Sequence, residues 1–147
     1  MGNGQRSRRQ SALWEERIGK DMVNSMNTMA QREGVRDAAM AKRRIAAYWD
    51  GRSDSFMTQR EEELHSEQRQ IWEKELLSHL PEKEGLRILD VGCGCGFFSL
   101  ILAGQNHAVT GIDLTESMIQ QSRRLAEKYG SEAAFYRMDA EKLMFPD

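Results

Sequence analysis

Only two cysteines occur in the 147 residues, Cys93 and Cys95. A lone C-x-C pair supplies too few ligands for a structural zinc site and is poorly spaced for an ordinary disulfide. Charge of one sign is also scarce. The 21 basic side chains nearly cancel the 23 acidic ones, and a net charge of -2 gives no general pull toward nucleic acid or an anionic membrane. No apolar run approaches the length of a membrane span, and the polar, arginine-bearing start lacks the apolar core of a secretory signal, which points to the cytoplasm. Met1 Gly2 Asn3 Gly4 Gln5 opens like a myristoylation signal, but Arg6 stands where that motif wants Ser or Thr. His65, His79 and His107 have no mutual spacing that reads as a ligand set or a catalytic pair, and no internal repeat or low-complexity tract is visible. What remains is length for one domain with a single core.

Residues 1–10 are polar and arginine-rich with no apolar periodicity, and read as a disordered basic tail. From Ser11 the pattern is helical. Trp14, Ile18, Met22, Met26 and Met29 recur at three- or four-residue spacing and form an apolar stripe, which Gly34 interrupts. A second helical stretch is expected from about Val35 to Trp49. A third, strongly acidic one follows over 54–80, with Leu64, Ile71, Trp72, Leu76, Leu77 and Leu80 on its buried side. Residues 11–84 therefore read as a helical extension. From Gly85 the pattern becomes α/β: strands at 86–91, 108–112 and 133–138, with helices at 97–103 and 116–129 stopped by Gly104 and Gly130. This βαβαβ order is one half of a doubly wound, Rossmann-like sheet.

Between the first strand and its helix runs Asp90 Val91 Gly92 Cys93 Gly94 Cys95 Gly96. Alternating glycines there let the backbone turn sharply and approach a ligand closely, as a nucleotide-cofactor loop requires. The second strand ends on Asp113, 21 residues after Gly92, where a doubly wound fold holds ribose hydroxyls. A simpler reading makes Asp113 an N-cap for the following helix. The dinucleotide fingerprint G-x-G-x-x-G would need glycine at Phe97, and no Walker-type G-x-x-x-x-G-K-[ST] loop occurs, so a pyrophosphate is disfavoured.

Asp90-x-Gly92-x-Gly94-x-Gly96 resembles the first motif of the class I S-adenosylmethionine-dependent methyltransferases, over roughly residues 40–147. The resemblance implies S-adenosyl-L-methionine as cofactor, with Asp90 near its methionine end and Asp113 on both ribose hydroxyls. Asp139 and Ala140 match the pair that receives the adenine, and Met118 falls where an apolar side chain packs on its face; core packing is the other role open to Met118. Cys93 and Leu114 complete the expected cofactor-binding set within the loop and after Asp113. Tyr48, Trp49 and Phe56 are the aromatic residues placed near the pocket, their alternative being packing of the extension onto the sheet. The two thiols read as small loop side chains, reactive only where exposed.

The resemblance further implies methyl transfer to a small-molecule acceptor without nucleic acid, membrane or metal. No residue carries over as a catalytic base. The family sheet has more strands than these three, so the chain is expected to be a C-terminally truncated portion, weak or inactive alone. Its first strand would then be an apolar edge open to self-association. Two other classes stay open: a non-catalytic cofactor-binding or helix-docking module using the Trp14 to Met29 stripe, and a fragment of an NAD-dependent oxidoreductase.

Overall fold

The computed structural model describes residues 38–145. The expected basic tail and the Trp14 to Met29 stripe lie outside them. In chain order the elements are α1 (Ala38–Asp50), α2 (Ser53–Leu64), α3 (Glu67–Ser78), β1 (Arg87–Val91), α4 (Phe97–Ala103), β2 (Ala108–Asp113), α5 (Glu116–Lys128) and β3 (Ala134–Arg137). From Ala46 onward the described residues form one compact unit, and the packing below lies within it.

The acidic stretch expected as one helical region is two helices. His65 closes α2, and the Ser66 side chain opens α3 by accepting the Gln68 N–H at 3.2 Å. Serine competes well for a helix start because its hydroxyl satisfies an amide the helix leaves unpaired. Helix α5 ends as the glycine predicts: Gly130 takes φ +61°, Ser131 donates to the Ala126 carbonyl at 2.8 Å and Gly130 to that of Glu127 at 3.2 Å. Gly104 departs from that expectation. It keeps a right-handed φ of -63°, and the left-handed residue two positions later is Asn106 at φ +61°. Asparagine tolerates that region better than other side-chain-bearing residues, so the reversal is displaced rather than lost.

The strands are parallel in the order β1-β2-β3, with Val91 beside Ile112 and Asp113 beside Arg137. Their carboxyl ends thus meet at one rim, where doubly wound sheets bind ligands. One face of the sheet carries α4 and α5 over a core that includes Cys93, Cys95, Leu100, Val109, Ile119, Leu125 and Phe135. β1 lies at the sheet edge, with Leu89 at 40 % and Val91 at 54 % exposure.

Helices α2 and α5 meet along a polar seam of constant offset. Asp54 accepts from Gln121 and Glu61 from Lys128, each pair 67 residues apart, and Asp50 at the end of α1 accepts from Ser117 at the same separation. A constant separation means that the two helices run in the same direction, and steps of four and seven residues keep the seam on one face of each. Residues 50–61 are thereby registered along α5, whose first turn lies at the same rim as the strand ends.

Candidate cofactor site

The glycine loop is held in shape by its own amides. Gly92 and Cys93 both donate to the Ile112 carbonyl, at 2.8 and 2.9 Å, and Gly96 donates to that of Cys93 at 2.9 Å. Gly94 donates to Asp113 Oδ2 at 3.0 Å. These four N–H groups point at protein acceptors, so the loop does not offer the nest of free amides that cradles a phosphate.

Gly92, Gly94 and Gly96 have φ of +75°, +54° and +84°, which any side chain would strain. Their surroundings differ. A Cβ on Gly92 would meet nothing within 4 Å, one on Gly94 would lie 3.3 Å from Phe56, and one on Gly96 would collide with Phe135 at 2.8 Å. The loop is open at its first glycine, covered at its second and packed onto the core at its third.

Asp113 does two jobs at once. While Oδ2 holds Gly94, Oδ1 accepts the Thr115 N–H at 2.8 Å, just before α5. A carboxylate has about four lone-pair directions, so two further hydrogen bonds fit the group. Asp90, at the end of β1, is half-buried and accepts the Ser99 hydroxyl at 2.6 Å. Burial raises its carboxyl above the ordinary value; the Ser99 hydrogen bond opposes that rise and the negative charge of Asp113 adds to it.

The remaining candidates fall around the same rim. Met138 donates to the Asp113 carbonyl at 2.9 Å, which sets Asp139 one residue beyond; its Oδ1 accepts the Glu141 N–H at 3.0 Å, and Ala140 is exposed. Leu114 is half-buried, with its carbonyl accepting from Arg137. Met118 is 2 % exposed and packs in the core. The thiols are not exposed: Cys93 and Cys95 are both buried, and burial first of all pushes both up, Cys95 to about 11, so neither is a ready nucleophile at neutral pH. Trp49 stands edge-on to Phe56, ring centres 5.7 Å apart, and Phe56 in turn covers Gly94.

Several supporting residues escaped the sequence. Gly111 lies inside β2, where a Cβ would come within 2.6 Å of Phe135 and 2.9 Å of Cys93 Sγ; an isolated strand glycine is the signal for such a close approach. Ser99 and the acids Asp50 and Asp54 left no comparable trace. A recess of about 790 Å³, lined by His65, Arg69, His107 and Tyr129 among others, lies at the opposite end of the sheet and touches none of the loop. Among the described residues no three His, Cys, Asp or Glu side chains gather as a metal site, and no helix is long and apolar enough to cross a membrane.

Parallel strands, a glycine loop braced by the acid of the next strand, and a second acid beyond β3 define a doubly wound cofactor-binding fold. Residues 88–147 match the methyltransferase domain family. The chain is 47 % identical over 60 residues to a malonyl-[acyl-carrier protein] O-methyltransferase of Erwinia pyrifoliae, covering 40 % of this chain and 22 % of that enzyme. It is 36 % identical over 74 residues to the S-adenosyl-L-methionine-dependent Diels-Alderase iccD of Talaromyces variabilis, covering 48 % of this chain and 25 % of that protein. The Haemonchus contortus phosphoethanolamine N-methyltransferase 1, solved with phosphoethanolamine and S-adenosylhomocysteine, superposes with a TM-score of 0.53 at 26 % identity, covering 74 % of this chain and 24 % of that one. The α/β portion, residues 88–147, is thus similar to the class I S-adenosylmethionine-dependent methyltransferases. The chain spans about a quarter of the length of the relatives it matches.

Proposed function

We propose that this chain binds S-adenosyl-L-methionine at the carboxyl rim of the sheet and serves transfer of its methyl group to a small molecule. The observation that carries the reading is the inward turn of the loop amides onto Ile112 and Asp113, which suits a ligand that presents hydroxyls and an amino acid moiety rather than a pyrophosphate. The residues present fit that cofactor: the loop is open at Gly92 and Asp113 has acceptor capacity for a ribose diol. Asp113 would take the ribose, Asp90 the cationic methionine end, and Asp139 with the Ala140 amide the adenine. Gly92 would let the cofactor lie close to the backbone, Cys93, Gly94 and Gly96 would hold the loop's shape beneath it, and Leu114 would be its apolar flank, backed from the core by the buried Met118.

When bound, S-adenosylmethionine supplies a sulfonium methyl for in-line transfer. The part of this chain is to bind, orient and exclude water, a division of labour in which positioning supplies much of the acceleration. In this reading residues 85–147 are the cofactor-binding portion, 11–84 the helical cap carrying Trp49 and Phe56, and 1–10 a basic tail, in a cytoplasmic protein with no nucleic-acid or membrane partner. The acceptor class rests on two enzymes named for malonyl-[acyl-carrier protein] and phosphoethanolamine. The open β1 edge is a route to self-association, which sedimentation over a concentration series would register. Release of S-adenosylhomocysteine in the presence of small carboxyl and amine acceptors tests the activity; its absence from every acceptor in a chain that binds the cofactor would argue against transfer.

A second reading, cofactor binding without methyl transfer, is favoured by one observation: a matched relative is named as an S-adenosyl-L-methionine-dependent Diels-Alderase. Cofactor affinity with no turnover of S-adenosylmethionine would select it.

A further inference from the structure

Resting on that cofactor reading, we propose that Arg60, on α2, is a positioning residue for the glycine loop, acting through Phe56. Arg60 is only 6 % exposed, and its guanidinium carbon lies over two aromatic rings, 5.2 Å from the centre of Phe56 and 5.0 Å from that of Phe97. Nη1 donates to Glu63 Oε2 at 2.6 Å, one turn further along the same helix. The two rings mark the two ends of the loop's covered side. Phe97 is the first residue of α4, directly after Gly96, and Phe56 reaches to 3.3 Å from the Cβ position of Gly94.

Stability alone is a poor reason to bury a charge at this place. A hydrophobic side chain of similar volume would fill the gap between the rings without desolvating a guanidinium, and such replacements are commonly neutral or stabilising. A planar cation between two rings does what a hydrophobic filler does not: it fixes the separation and tilt of both, because each ring face attracts it from its own side. Glu63 sets the third direction. With the grip closed, Phe56 is held over Gly94 and Trp49 over the edge of Phe56, so the covered half of the loop has one shape. Arg60 acts on the cofactor through Phe56, the ring it holds over Gly94.

Titration of S-adenosylhomocysteine into the 147-residue chain by calorimetry tests this with Arg60→Met, Arg60→Lys, Phe56→Leu and the Arg60→Met/Phe56→Leu pair. Arg60→Met should weaken binding about tenfold, within the range of ordinary coupling between sites. Arg60→Lys, which keeps a cation between the rings and within reach of Glu63, should recover most of it. The double variant should bind no worse than Phe56→Leu alone, since both substitutions break the same chain of contacts. A folded Arg60→Met that binds within twofold of the parent, or additive losses in the double variant, would overturn the proposal. If Arg60→Met does not fold, unchanged affinity in Phe56→Leu overturns it instead. A parent chain that binds no S-adenosylhomocysteine removes the cofactor reading and this proposal together.

Discussion

Asp113 Oδ2 accepts the backbone N–H of Gly94 at 3.0 Å, tying the acid that ends β2 to the middle glycine of a loop 19 residues earlier in the chain. With Oδ1 on Thr115, the same side chain also sets the entry to α5. Asp113 is not the N-cap of α5, a position that Thr115 holds; it braces that residue from two positions earlier, and the two bonds leave lone pairs for a ribose.

Asp113→Ala consequently affects the fold as well as the ligand. It leaves the amides of Gly94 and Thr115 without their acceptor, at a cost of about 1 to 3 kcal/mol for each amide that stays buried and unpaired. Denaturant unfolding should show the loss in the cofactor-free protein, and calorimetry should show S-adenosylhomocysteine binding weakened by roughly tenfold or more as charge-assisted bonds disappear. Parental stability in the free variant would mean that the loop does not depend on this acid.

The three loop glycines should separate under substitution by alanine. Gly92→Ala meets open space and has only its left-handed conformation to contend with, about 1 to 2 kcal/mol. Gly96→Ala adds a collision with Phe135 at 2.8 Å, and overpacking of that kind costs about 1 to 3 kcal/mol more. Thermal unfolding midpoints should rank Gly92→Ala above Gly96→Ala; equal losses would contradict the packing described for the third glycine.

Asp90 gives a pH dependence of definite sign. Burial, opposed by Ser99 and reinforced by Asp113, lifts its folded-state value above the ordinary 3.8. The folded chain then holds the proton more tightly than the unfolded one, so this group lowers stability as pH rises from 3.8 through the folded value. Asp90→Asn, which keeps an acceptor for Ser99, should flatten that part of the stability profile and hold or raise the melting temperature at pH 7. It should also weaken binding of the cationic cofactor. A fall in neutral-pH stability would contradict the assignment of burial as the leading cause.

Asp50 supplies from a distance the cap that α5 lacks locally. Thr115 makes no capping hydrogen bond with its side chain, whereas Asp50 Oδ1 accepts the Ser117 hydroxyl at 2.6 Å and its N–H at 3.4 Å. Asp50→Ala should cost about 0.5 to 2 kcal/mol, as loss of an N-cap does. Hydrogen exchange should quicken in residues 116–119 with the centre of the helix unaffected. Uniform protection along α5 would show that the contact carries no stability.

These contacts also show where sequence reading ends. The strands fell within a residue or so of their expected positions because each combines β-branched or apolar residues with a glycine or polar boundary, and the loop was legible because alternating glycines after an apolar strand have few other uses. The break at Ser66 was missed because the acidic face on either side is continuous, and the hydroxyl that opens α3 differs little from any surface serine. The seam between α2 and α5 was invisible for a different reason. Asp50, Asp54 and Glu61 find partners 67 residues away, and a polar pair at that distance leaves no periodicity to read. Arg60 was hidden likewise: nothing local marks one arginine among many as the buried one.

The most direct measurement is calorimetric titration of the folded chain with S-adenosylmethionine, S-adenosylhomocysteine and NAD in parallel. The loop amides committed to Ile112 and Asp113 predict one saturable site for the first two and none for NAD. Saturable binding of NAD, with no response to either S-adenosyl compound, would contradict the account at its centre.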